Sequence, residues 1–157
     1  MAFRLPTLVF FIIRDILFDY NCNFGTTDGV HINGPARFGL IENLSGVTND
    51  DMVSLTSVDE AHAQVTRGPI DSVERRNIAA ENGYSGVRLL SRGEPVTNIR
   101  ISGVYGAPIA TMPFLSLSII STRNPSGLTK LQLNTYTPQN HPFPCTRPNL
   151  FAGKKRR

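Results

Sequence analysis

Gly29-Val30-His31-Ile32 returns as Met52-Val53-Ser54-Leu55 and again as Gly86-Val87-Arg88-Leu89. Val30 and Val53 lie 23 positions apart, and Val53 and Val87 lie 34 apart. Self-similarity at a period of roughly 20–50 residues signals stacked repeats, because one unit can bury its apolar side only against the next. A second row keeps step with the first: Ile13–Phe18, Leu40–Leu44, Val73–Ile78 and Ile99–Val104. Its steps are 24 (Ile16 to Leu40), 33 (Leu40 to Val73) and 26 (Val73 to Ile99). Both rows take their long step in the middle, which places an insertion between Leu55 and Ile70. Within it, Ser57–Gln64 reads as a loop or a short helix.

The strands in these rows are short and roughly alternating. Turn residues separate them, at Gly25, Asn33-Gly34-Pro35, Gly46, Asn82-Gly83 and Gly93-Glu94-Pro95. An antiparallel sandwich also has short strands at such intervals, but it gives no reason for them to recur in register. No strand alternates with a long helical pattern, which disfavours a doubly wound α/β fold. The fold expected is therefore all-β: a right-handed parallel β-helix of about four coils over residues 1–105, followed by an irregular, basic, proline-rich tail over 106–157.

Composition agrees with that division. The chain has 157 residues, 40% apolar and 18% charged, enough for a core and too few charges for general disorder. Its net charge of +4 is unevenly spread. Residues 1–105 carry nine Lys and Arg against twelve Asp and Glu, whereas residues 106–157 carry seven basic residues and no acid. The closing Gly153-Lys154-Lys155-Arg156-Arg157 reads as a solvated tail, too short to specify nucleic acid. The acid-free, aperiodic segment suggests a fragment or an out-of-frame end. Cys22 and Cys145 are far apart, without metal-type spacing, and read as two free thiols. The apolar run Leu5–Ile13 lacks a signal-peptide cleavage site and reads as a first buried strand. Nothing approaches the ~20 apolar residues of a transmembrane helix, so no membrane partner is expected.

Thr26-Thr27-Asp28-Gly29-Val30 and Thr48-Asn49-Asp50-Asp51-Met52-Val53 introduce two equivalent strands. Stacked strands lie ~4.8 Å apart, so Asp28 and Asp51 should sit one layer apart with Asp50 beside them. Three carboxylates so close repel, and at least one should keep its proton near neutral pH. Acid-catalysed glycoside cleavage uses such a set: a protonated carboxyl for the leaving oxygen and an ionised one to activate water. Asp and Asn before strands also cap turns, and Asp clusters also bind Ca²⁺. If Val30, Val53 and Val87 point inward, then His31, Ser54 and Arg88 form the next outward column. There Arg88 suits a sugar carboxylate, and His31 is either a substrate contact or an ordinary surface histidine. Asn33, Asn49 and Tyr84 are further candidates for sugar hydroxyls.

Thr27-Asp28-Gly29-Val30, then Asn49-Asp50-Asp51 one coil later, then Gly86-Val87-Arg88-Leu89, together resemble the polygalacturonase family, glycoside hydrolase family twenty-eight of the pectin lyase-like superfamily. That family carries Asn-Thr-Asp, Gly-Asp-Asp, Gly-His-Gly and Arg-Ile-Lys motifs on consecutive coils. The resemblance covers about 90 residues. It implies an inverting polysaccharide hydrolase, with a pectin-type substrate among the candidates, without cofactor or metal, secreted or periplasmic. Asp28, Asp50 and Asp51 would be catalytic, with Asp51 or Asp28 as the acid and Asp28 and Asp50 handling water. Arg88 would bind the polysaccharide or oligosaccharide, and His31 and Asn49 join it as substrate-binding candidates from their place in the strand pattern alone. Thr26 replaces the family's first Asn, Asn49 its Gly, Leu90 its Lys, and Gly-His-Gly is missing. Those departures leave two other readings: a non-catalytic β-helix for glycan binding or scaffolding, and an inactive truncated remnant.

Overall fold

A computed structural model describes residues 3–20, 27–58, 65–91, 93–106, 115–119 and 131–138. Cys22, Cys145, Thr26, most of the expected Ser57–Gln64 loop or helix, and the basic tail lie outside them. The described residues are all-β: β1 (Phe3–Asp19), β2 (Val30–Val47), β3 (Val53–Thr56), β4 (Ile70–Asn82), β5 (Val87–Ser91), β6 (Val96–Gly106), β7 (Leu115–Ile119) and β8 (Leu131–Pro138). They contain no helix.

Every pairing is parallel. β1 lies along one edge of β2 for its whole length. On the other edge of β2, β3 pairs with Val30–Asn33 and β4 pairs from Ala36 to Val47, so the two lie end to end. β5 and β6 repeat that arrangement on β3 and β4, and β7 and β8 repeat it again. The far edge of β6 is paired by β8.

The first repeat row lies in the expected register: Val30 opposes Val53, which opposes Val87. All three valines are fully buried and form one apolar column, with Ile32, Leu55 and Leu89 forming the next. The second row is shifted. Leu40 pairs with Ile12 and with Glu74, and Ile16 pairs with Leu44. The step from β1 to β2 is thus 28 residues, from Ile12 to Leu40, rather than 24. A one-residue slip exchanges the two faces of a strand, and here it decides burial. Gly39, Val73 and Ile99 face inward, while Leu40, Glu74 and Arg100 form the adjacent outward column.

The register is set at two corners that recur in each long strand. Phe10, Phe38, Ser72 and Asn98 share a positive φ of 51–57° and fall at matching positions. So do Asp15, Asn43, Asn77 and Gly103, at 54–59°. A left-handed residue costs roughly 1–2 kcal/mol unless it is Gly, Asn or Asp, and stacking these positions lets each corner be supported by the next. Asn43 Nδ2 donates to Asp15 Oδ1 at 2.8 Å, and Asn77 Nδ2 donates to Asn43 Oδ1 at 2.7 Å. Phe10 and Phe38 tolerate the same conformation with their rings stacked, centroids 4.9 Å apart.

β1 forms where a first buried strand was expected, yet Val9, Phe10, Ile12 and Leu17 are exposed on it. Among the described residues β1 is paired on one side only, so its second edge has nothing to cover these side chains. One core position breaks the apolar rule. Arg75 stacks between Ile41 and Ile101 and is fully buried, and its Nε and both terminal nitrogens have no hydrogen-bond partner among the described residues.

Candidate functional site

The repeat offset brings the aspartates together. Asp28 stands two residues before Val30, Asp51 two before Val53, and Ser85 two before Val87. Because those valines stack, Asp28, Asp51 and Ser85 form one column at the mouth of three successive layers. Backbone bonds hold the layers close: Gly29 N–H donates to Asp51 O at 2.9 Å, and Met52 N–H to Ser85 O at 2.9 Å. Gly29 is needed for this approach, since a Cβ there would lie 2.6 Å from the Met52 carbonyl oxygen. Asp50 is fixed through its main chain. Its N–H donates to Thr27 O at 3.2 Å, and its carbonyl accepts from Tyr84 N–H at 2.9 Å and from Thr48 Oγ1 at 3.1 Å.

One carboxylate oxygen from each of Asp28, Asp50 and Asp51 lies within 4.8 Å of the other two. Asp28 and Asp51 are buried and Asp50 is half-buried. Asp28 Oδ2 is 2.6 Å from His31 Nδ1, and Asp28 Oδ1 accepts from the Asp51 N–H at 3.2 Å. Asp51 Oδ1 accepts from Ser85 Oγ at 2.5 Å, and Asp51 Oδ2 accepts from an Arg88 terminal nitrogen at 3.4 Å.

Burial and crowding set the proton balance. Removal from water, then the negative charges of Asp51 and Asp28, push Asp50 up to about 7, against the pull of Arg88. Burial raises Asp51 as well, and the charge of Asp28 adds to this. The Ser85 hydroxyl and the Arg88 guanidinium act in the opposite direction. Tyr20, whose hydroxyl is buried without a partner among the described residues, is also raised, first by burial and then by the charge of Asp28. The cluster thus carries both a protonated acid and acceptor oxygens near neutral pH. Three carboxylates at this spacing are also an oxygen donor set for a hard cation such as Ca²⁺.

The other expected site residues divide. Arg88 reaches Asp51 and keeps a third of its side chain exposed. His31, Ser54 and Arg88 do form one column, but His31 and Ser54 are buried, and the His31 Nε2 has no partner among the described residues. His31 is therefore a buried companion of Asp28 and is not a surface histidine. Asn49 is buried beside Asp50, its N–H on Thr27 O at 3.2 Å and its Oδ1 unpartnered among the described residues. Asn33 is buried and accepts from Arg4 Nε at 3.0 Å, while Tyr84 is exposed. Ser85 and Tyr20 were not singled out from sequence. Ser85 was within reach, because it occupies the same offset in the third repeat as Asp28 and Asp51 in the first two. Tyr20 follows β1, for which no such offset exists.

Comparison with known proteins gives no match to any protein-family model, curated protein or solved structure. The description that stands on its own is of an all-β protein of parallel layered strands with a three-aspartate cluster at the mouth of two of them.

Proposed function

We propose that these layers are coils of a right-handed parallel β-helix and that the Asp28–Asp50–Asp51 cluster hydrolyses glycosidic bonds in a polysaccharide. The observation that carries this reading is the gathering of three carboxyls within 4.8 Å, with Asp50, the accessible one, held at about 7. Asp50 is then the acid that gives its proton to the leaving glycosidic oxygen. This reassigns the acid from Asp51 or Asp28, which lie deeper and are tied to Ser85, Arg88 and His31. Asp51 and Asp28 supply the carboxylate that meets the sugar or its attacking water. Arg88 holds the substrate through the guanidinium nitrogens that Asp51 leaves open. A secreted or periplasmic setting, where polysaccharides are met, belongs to the same proposal.

The spacing bears on stereochemistry. Inverting enzymes part their carboxyls by roughly 6.5–9.5 Å to admit water, and retaining enzymes by roughly 5–5.5 Å. One oxygen of each carboxyl lies within 4.8 Å of the others, and the separation of the two acting groups around the bound substrate decides between the two courses.

The test is reducing-sugar release from pectic and neutral polysaccharides, run with and without EDTA, by the full chain and by Asp50→Asn and Asp51→Asn. The expected result is release on at least one substrate, insensitive to EDTA, falling at least 100-fold in either variant. The anomer first formed, read by proton NMR, reports inversion or retention. Equal behaviour of all three proteins on every substrate would sink the catalytic reading. It would leave the non-catalytic scaffold, which the burial of Asp28 and Asp51 favours.

A further inference from the structure

Away from the aspartates, a cavity of about 300 Å³ crosses β2, β4 and β6. Its floor is the stacked column Gly39, Val73 and Ile99. One wall carries Ser72 and Asn98 at the left-handed corners, and the other carries Glu74 and Arg100. The corner column continues beyond the cavity into Phe38 and Phe10, whose stacked rings are 47% and 78% exposed. We infer that this groove binds a neutral oligosaccharide, separately from the aspartate cluster.

The groove runs across the strands, so a ligand lying along it crosses one layer every ~4.8 Å and meets different groups at each. A repeating linear ligand fits such a surface better than a compact one. Each sugar ring has an apolar C–H face and a rim of hydroxyls. The exposed phenyl faces of Phe38 and Phe10 suit the first, and the amide, hydroxyl and carboxylate of the walls suit the second. The wall is pre-ordered, because Asp71 accepts from Ser72 Oγ at 2.8 Å, Thr97 Oγ1 at 2.5 Å and Asn98 Nδ2 at 2.7 Å. Two considerations set the ligand class. Glu74 and Arg100 are 3.8 Å apart and cancel, and Asp71 stands behind the wall, so a polyanion gains nothing here. A peptide strand gains little either, because the backbone groups of β4 are already engaged by β2 on one side and β6 on the other.

The inference rests on the groove alone and is independent of whether the aspartates cleave anything. The test is an NMR titration of the full chain with cellohexaose, xylohexaose and maltohexaose, and with hexagalacturonate as the anionic arm. Expected are shifts of the Phe38, Ser72 and Asn98 amides with at least one neutral hexasaccharide. Phe38→Asn, which keeps a residue suited to the left-handed corner, and Asn98→Gly should each weaken that binding about tenfold. Asp50→Asn, placed outside the groove, should leave it unchanged even where hydrolysis is lost. Absence of groove shifts with all three neutral sugars, tighter binding of hexagalacturonate at the groove, or loss of the shifts in Asp50→Asn would each overturn the inference.

Discussion

Asp50 keeps its proton to about 7, while an unfolded chain releases it near 3.8. Between those values the folded state binds the extra proton, so stability falls as pH rises through that window and is flat above it. Asp50→Asn removes the penalty. Its melting temperature should exceed that of the native chain by about 5 °C at pH 8 and by much less at pH 4, as a thermal scan at the two values will read. Arg75 is the other charge set against its surroundings. Burial pushes its guanidinium down to about 9, so it stays charged at neutral pH with no partner for its three nitrogens among the described residues. Replacing even a paired buried charge by apolar side chains is often neutral or stabilising by about 1–4 kcal/mol, and Arg75 has no pairing energy to lose. Arg75→Met should therefore move the urea midpoint upward; a lowered midpoint would mean that the guanidinium is satisfied in solution.

At the scale of elements, the corners decide more than the strands between them. Asn43 holds a left-handed φ and links Asp15 to Asn77 by side-chain bonds. Asn43→Gly keeps the conformation and loses the bonds, at about 1 kcal/mol each. Asn43→Ala loses both and should cost about 1–2 kcal/mol more, a difference that equilibrium unfolding of the two variants measures. These corners also mark where the sequence could be read and where it could not. Val30, Val53 and Val87 announced their column because a buried position repeats its residue type. Phe38, Ser72 and Asn98 share a backbone angle and no side-chain chemistry, so nothing in their identities aligned them, and the second row was placed four residues out of step at β1. The site divides in the same way. Asp28 and Asp51 were legible from their common offset. The burial of His31 and the pairing of Asp51 with Ser85 depend on how closely layers approach, which spacing alone does not give.

Among the described residues, the strands form a parallel sheet in which each is bonded only to its neighbours in the pairing order. In such arrays stability is nearly a sum of layer terms and neighbour terms, and an outer layer with one neighbour opens first. Amide exchange should accordingly be fast along β1 and slow along β2, β3 and β4, which have layers on both sides. Uniform protection from β1 to β4 would show that the molecule opens as a single unit.

The exposed Val9, Phe10, Ile12 and Leu17 give this outer strand a second consequence. A parallel edge with apolar side chains accepts another strand as readily as β2 does. Joined head to tail, such contacts do not close on themselves and propagate instead. Arg4, Arg14, Asp15 and Asp19 on the same strand are the charges that interrupt it. For material kept at high concentration, neutralising those four side chains should shorten the lag before scattering rises.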